Sequence, residues 1–281
     1  MWKETFRIGV DVIDEQHKSL FEKTEELMKH FRESKDKQKC IDAILFLKSY
    51  AVQHFADEES YQKEIAYEGF PAHQEEHKQF VATVLQHEKT MVASDFAEKD
   101  VRDFIATLGT WLLYHVAGSD MLIGKESQKT DKAESHGALV RMCICSVLNK
   151  VASIELGSIK DIAPQATSGA NDDLIVEIQL AGDMTAYVIF AFTRSFVMNL
   201  VHAMMNFTPK LIEEFEIAVI FEVVNLIGGT ICSRLEQETG LKCEIVALIS
   251  AARGTVLPDE TLALDTGIGR IEADISFERT K

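Results

Sequence analysis

Apolar residues recur at intervals of three and four over four long stretches in the first half of the chain, about residues 15–33, 39–65, 70–92 and 97–118. Short polar connections join them. That spacing gives each stretch one apolar stripe on a helix, the pattern of an up-down-up-down four-helix bundle. The periodicity lapses from Lys125 to Gly137 (KESQKTDKAESHG), a polar segment that reads as a linker. Beyond it a helix is predicted near 138–152, followed by β-rich runs at 154–162 (IELGSIKDI), 174–181 (LIVEIQLA) and 185–192 (TAYVIFAF). Gly182 and Asp183 part the last two and predict a hairpin. Two helices at about 194–206 and 211–237, split by Thr208 and Pro209, precede β-rich runs at 242–250, 261–265 and 269–278. The expected architecture is two domains: an all-α bundle over 1–124, a linker over 125–137 and an α+β layered domain over 138–281.

A chain of 281 residues that is 46% hydrophobic has ample material for two cores. The N-terminus has no signal-peptide character and no uninterrupted apolar run approaches the ~18 residues of a spanning helix, so a cytoplasmic protein without a membrane partner is expected. Five cysteines without a CxxC pair fit reduced thiols better than a disulfide framework or a zinc site. Cys143 and Cys145 read as buried packing. A net charge of −16, with no basic stripe, argues against nucleic acid as a partner. Histidine is unevenly placed: seven of nine lie before residue 126.

Five of those seven sit on the apolar stripes. His17 shares a face with Leu20, Phe21, Thr24, Met28 and Phe31. Ile44, Leu47 and Ala51 lead to His54 and Glu58. Phe70, His73, His77, Phe80 and Val84 align, and Val101, Phe104, Leu108 and Trp111 lead to His115. A single inward histidine is ordinarily a hydrogen-bonded core residue. Five imidazoles and a carboxylate in one small core would cost several kcal/mol per uncompensated group, which a bound metal removes. His54/Glu58 and His73/His77 are i,i+4 pairs, one turn apart on one face and able to chelate. His115 and Asp120 are five apart, so the last turn is expected to loosen or bulge there. The set exceeds what one tetrahedral zinc takes, and imidazole with carboxylate suits two iron ions. Glu59, His30 and His87 are expected to face solvent.

The segments GVDVIDEQHKSLF, HFADEES, HQEEHKQF and WLLYHVAGSD resemble the four ligand-bearing segments of bacterial hemerythrins over about residues 1–122. The resemblance implies a centre of two non-haem iron ions with dioxygen as ligand: His73, His77 and His115 on one iron, His17 and His54 on the other, Glu58 and Asp120 bridging.

Residues 138–281 hold no histidine cluster, phosphate loop or nucleophile elbow. Within EIAVIFEVVNLIGGTICSRL (216–235), Glu222 and Asn225 lie three apart on one helical face, by themselves no more than a solvated pair. Glu222-Val-Val-Asn225-Leu-Ile-Gly-Gly, after a hairpin with Ala181-Gly182-Asp183 at its turn, resembles the CheC/CheX chemotaxis phosphatases over about 138–278. The resemblance implies dephosphorylation of a CheY-type response-regulator receiver, with Glu222 engaging its lysine and Asn225 orienting the attacking water, and it implies a homodimer. Ala218 stands where that family often has an acidic residue or serine. ALVRMCICSVLNKV, the corresponding part of the first helix, shows no Glu-x-x-Asn, so a single site is expected. The expected function is oxygen or redox sensing coupled to dephosphorylation of a receiver. The alternatives are a non-enzymatic oxygen-binding adaptor for a receiver, and a di-iron oxidase, iron store or nitric-oxide sensor.

Overall fold

The computed structural model describes residues 1–33, 37–123, 135–164, 174–250 and 258–279. The chain divides into two compact units, Met1–Gln128 and Lys129–Lys281. Most of the segment read as a linker lies outside the described residues, and its last part does not behave as one. Ser135 accepts the Ala138 N–H and caps a helix that begins at His136.

The first unit is helical. Helix α1 (Asp11–Glu33), α2 (Lys37–Glu64), α3 (Phe70–Ala93) and α4 (Glu98–Tyr114) follow the periodic stretches within a few residues. Asp14, in the first turn of α1, reaches back to accept the N–H groups of Ile8 (2.8 Å) and Gly9 (3.1 Å) and so fixes the chain that enters the helix. Pro71 opens α3, where its missing N–H costs nothing. Phe21, Leu27, Met28, Met91, Ile105 and Leu113 are fully buried and form the apolar part of the core. After Tyr114 the backbone becomes a π-helix over His115–Ser119 and then a 3-10 turn over Asp120–Leu122. This is the loosened last turn that the five-residue spacing of His115 and Asp120 predicted. In a π-turn, residues five apart come onto one face.

The second unit is an α+β layer. Helix α5 (His136–Ala152) leads to β1 (Lys160–Asp161), and the hairpin β2 (Leu174–Gly182) and β3 (Met184–Phe192) follows. After it come α6 (Arg194–Met205), α7 (Glu214–Thr239), β4 (Cys243–Ser250), β5 (Glu260–Asp265) and β6 (Arg270–Arg279). Among the described residues the strands form one antiparallel sheet in the order β1-β5-β6-β3-β2-β4. Val176, Ile178 and Leu180 of β2, with Ala186, Val188 and Phe190 of β3, alternate onto the buried face, as a sheet covered on one side requires. Helices α5, α6 and α7 supply that cover.

Two expectations are corrected. The run at 154–162 is mostly not a strand: Leu156–Ser158 is a 3-10 turn, and only Lys160–Asp161 pairs, with β5. Gly157 and Ser158, which favour turns, override the apolar alternation around them. The second of the paired helices begins at Glu214 rather than 211, because Glu213 and Glu216 form a reciprocal capping box there. That helix, α7, is also long and apolar enough to cross a membrane by length and composition. Its inward residues Val219, Ile220, Val223, Val224, Ile227 and Ile231 are buried in this unit.

Gly182 closes the hairpin at φ +149°, where a Cβ would stand 2.4 Å from the Lys242 carbonyl oxygen. Gly182→Ala is therefore expected to destabilise the second unit by ~1–3 kcal/mol, read as a lower urea midpoint at unchanged slope. An unchanged midpoint would contradict this packing.

Candidate metal centre

The four helices bring together every histidine and carboxylate that the sequence marked in the first half. His17 of α1, His54 and Glu58 of α2, His73 and His77 of α3, and His115 and Asp120 at the end of α4 are all at most 4% exposed. The histidines and Glu58 arrive through the helical periodicity that also buries their apolar neighbours, and Asp120 through the π-turn that precedes it.

Within the cluster the atoms fall into two sets around shared carboxylates. Glu58 Oε2 lies 3.0 Å from His73 Nε2 and 3.1 Å from His77 Nε2. Asp120 Oδ1 lies 3.3 Å from His73 Nε2 and 3.1 Å from His115 Nε2. The Nε2 atoms of His77 and His115 are 2.9 Å apart. On the other side Asp120 Oδ2 lies 3.1 Å and Glu58 Oε1 4.0 Å from His17 Nε2. His54 completes that side: His17, His54 and Glu58 present potential ligand atoms close together, as do Glu58, His73, His77 and His115. Glu58 belongs to both groups.

These contacts are close, yet several are not aligned as hydrogen bonds. His17 Nε2, Glu58 Oε1 and both Asp120 carboxylate oxygens are buried without a hydrogen-bond partner. Such atoms aimed at a common centre cost ~1–3 kcal/mol or more each when left unsatisfied, and a cation placed among them satisfies all at once. The electrostatics agree. Burial opposes ionisation of Glu58, but hydrogen bonds from His73 and His77, with the charge of His115, hold its carboxyl well below the ordinary range. Burial, reinforced by His17, keeps the His54 imidazole far below its ordinary value, in the neutral form that binds metals. Burial likewise opposes a charge on His115, and Asp120, Glu76 and Glu58 overcome it, raising the group to about 9. A field that pulls a proton onto a buried imidazole also favours a metal cation.

Three outer residues escaped the sequence reading. Gln16 Oε1 lies 3.2 Å from His54 Nδ1, Glu59 Oε1 3.2 Å from His77 Nδ1, and Glu76 Oε2 3.0 Å from His115 Nδ1. An acceptor there fixes the tautomer so that Nε2 faces the cluster. Glu59 is thus not the solvated residue expected, whereas His87 stays outside the cluster, partly exposed, with its Nε2 3.2 Å from the Thr107 hydroxyl. The signal available in the sequence was adjacency: Gln16 neighbours His17, Glu59 neighbours Glu58, and Glu76 neighbours His77. Each polar residue flanks a cluster residue of its own helix and serves the imidazole of the next.

Aromatic rings close the site. Phe55 stacks on His77 at 4.0 Å and Trp111 on His115 at 4.3 Å. Against His54 and His115 lies a cavity of about 60 Å³ walled by Leu20, Phe55, Trp111, Leu112 and Val116. An apolar ligand of a few atoms fits such a space.

In the second unit, Glu222 and Asn225 both stand on α7, Asn225 exposed and Glu222 half-buried, on the same outward stripe as Ala218. Of these, Asn225 is the residue most open to solvent.

Residues 8–125 match the family model described as the hemerythrin HHE cation binding domain. A bacteriohemerythrin from Clostridium acetobutylicum is 32% identical over 123 residues, which are 43% of this chain and 95% of that protein. A myohemerythrin from Theromyzon tessulatum is 29% identical over 42% of this chain and 86% of its own. Among solved structures, the chemotaxis protein CheX from Vibrio vulnificus aligns with 53% of this chain and all of its own, at TM-score 0.43 and 17% identity. The CheX–CheY complex with BeF3 and magnesium from Borrelia burgdorferi aligns with 51% of this chain and 98% of its own, at TM-score 0.42 and 18% identity.

The di-iron centre of hemerythrins thus meets a donor set of fitting number and type. The protein is expected to take up about two ferrous ions per chain, and Glu58→Ala to hold less than half of them. Glu76→Ala, which removes only an outer acceptor, should weaken iron binding about 10–100-fold at unchanged helix content. Iron titration with circular dichroism checks both; full, tight loading of Glu58→Ala would rule out this site.

Proposed function

We propose, since the chain belongs through residues 8–125 to the hemerythrin family, that its first unit senses dioxygen at a non-haem di-iron centre and its second unit dephosphorylates a response-regulator receiver. His73, His77 and His115 would hold one iron, His17 and His54 the other, with Glu58 and Asp120 shared. The observation that carries this is the division of both carboxylates between the two imidazole sets, Glu58 Oε2 toward His73 and His77 and Glu58 Oε1 toward His17. When bound, the irons supply the electrons and the open coordination position that dioxygen binding requires. The protein's part is positional. Gln16, Glu59 and Glu76 orient three imidazoles, and Leu20, Phe55, Leu112 and Val116 keep the adjoining cavity apolar, which slows proton-assisted oxidation.

For the second unit the support is the Glu222-x-x-Asn225 spacing on the outward stripe of α7, the arrangement that the resemblance to CheX-type phosphatases implies. Glu222 would engage the receiver's lysine and Asn225 would orient the attacking water, catalysis by positioning of the kind phosphoryl transfer relies on. Such a partner places the protein's action in the cytoplasm, and a homodimer is the corresponding assembly. Ala218 favours a second reading, in which the stripe binds a receiver without hydrolysing it.

The test is the dephosphorylation rate of a chemically phosphorylated CheY-type receiver, with the full iron-loaded chain reduced under nitrogen and then exposed to oxygen. The sensor-phosphatase gives a rate that changes with oxygen and falls about 10²-fold in Asn225→Ala. Receiver binding with no hydrolysis in either state, and no loss in Asn225→Ala, establishes the adaptor instead. Rapid irreversible oxidation by air with no oxygen adduct would exclude sensing by ligation.

A further inference from the structure

The thiols of the second unit divide into two kinds. Cys143 and Cys145 are buried in α5, out of reach of an oxidant in solvent. Cys232 of α7 and Cys243, the first residue of β4, are half-buried, and the Cys243 thiol lies close enough to Cys232 to raise it further.

That contact follows from how α7 crosses the sheet. A Cβ on Gly228 would fall 2.0 Å from Ile178 Cδ1 and 3.1 Å from Ile245 Cδ1, so the helix lies directly on β2 and β4 at this point. Four residues onward along the helix advance ~6 Å, and two residues back along the strand cover ~6.6 Å. The same crossing therefore sets Cys232 over Cys243. The strand end is held as well: the Lys242 N–H donates to the Asp183 carboxylate at 2.9 Å and the Lys242 carbonyl accepts the Asp183 N–H at 2.8 Å.

We propose that Cys232 and Cys243 form a reversible disulfide, closed by hydrogen peroxide, that fastens the C-terminal part of α7 to the edge strand β4. Cys243 opens the edge strand β4, where peroxide in solvent reaches it first. Its thiolate attacks one peroxide oxygen, the O–O bond breaks, and the departing hydroxide leaves as water after taking a proton, giving a sulfenic acid. The Cys232 sulfur then attacks the Cys243 sulfur; the S–O bond breaks, the hydroxide leaves as water with the Cys232 proton, and the S–S bond forms. Two thiols and one peroxide become a disulfide and two waters, and a dithiol reductant reverses the change. The bond encloses Ser233 to Lys242 and fixes the helix that carries Glu222 and Asn225 at its other end.

The experiment exposes the full iron-loaded chain to low hydrogen peroxide, and in parallel to diamide, a thiol oxidant that needs no metal, and then alkylates free thiols and maps peptides by mass. A Cys232–Cys243 link is expected with both oxidants and is lost on dithiothreitol treatment. Cys243 should lose alkylatability roughly tenfold or more faster than Cys143. In Cys232→Ser the link is absent and dimedone traps Cys243 as a sulfenic acid; in Cys243→Ser, Cys232 remains a thiol. Both thiols still free after oxidation, a link between other cysteines, or oxidation of Cys232 in Cys243→Ser at the wild-type rate would each overturn the proposal.

Discussion

The first unit is organised around the cost of keeping five imidazoles and two carboxylates out of water. A domain's net stability is of the order of 5–15 kcal/mol, and a few buried polar atoms without partners consume most of it. His17 Nε2, Glu58 Oε1 and both Asp120 oxygens are such atoms, gathered at one level of the bundle. The metal that satisfies them therefore decides how stable the bundle is as well as what it binds. The rest of the unit follows from that. Long helices are needed because each brings one or two of the cluster residues from a stripe otherwise filled by Phe, Leu and Ile. The π-turn after Tyr114 is needed because Asp120 must share a face with His115.

The outer shell shows the same constraint one layer out. Gln16 on α1 turns to His54 on α2, Glu59 on α2 to His77 on α3, and Glu76 on α3 to His115 on α4. Each helix thus braces a metal-facing imidazole of the next. The sequence of braces stops at His17, whose Nδ1 is buried without a partner. Of the imidazoles buried in the site, His17 thus has neither ring nitrogen in a hydrogen bond, so its orientation rests on packing and on the metal.

How much of this could be read beforehand depended on whether a residue's burial leaves a periodic trace. The cluster residues were legible because a histidine within an apolar stripe breaks expectation at a fixed helical phase, and the odd five-residue offset announced a bulge. Gln16, Glu59 and Glu76 left only their adjacency to a cluster residue, and a polar residue in that place looks like a solvated face; only the neighbouring helix gives it a role. The segment at 154–162 misled for the opposite reason: Ile154, Ile159 and Ile162 supplied strand-like apolar positions, while Gly157 and Ser158 set the backbone. The pairing of Cys232 with Cys243 depends on Gly228 letting α7 onto the sheet, a tertiary fact with no local signature.

The two proposed activities place different demands on the chain, and this limits how one could influence the other. The iron site is buried, and its ligands are strong enough to shift an equilibrium by several kcal/mol. Asn225 on α7 is exposed, so a receiver meeting it reads a surface rather than a buried site. Joining such units on one chain raises their local concentration but supplies no coupling by itself. Coupling requires an element with two arrangements that oxygen and receiver favour unequally, by about 1–3 kcal/mol for a 5–150-fold effect.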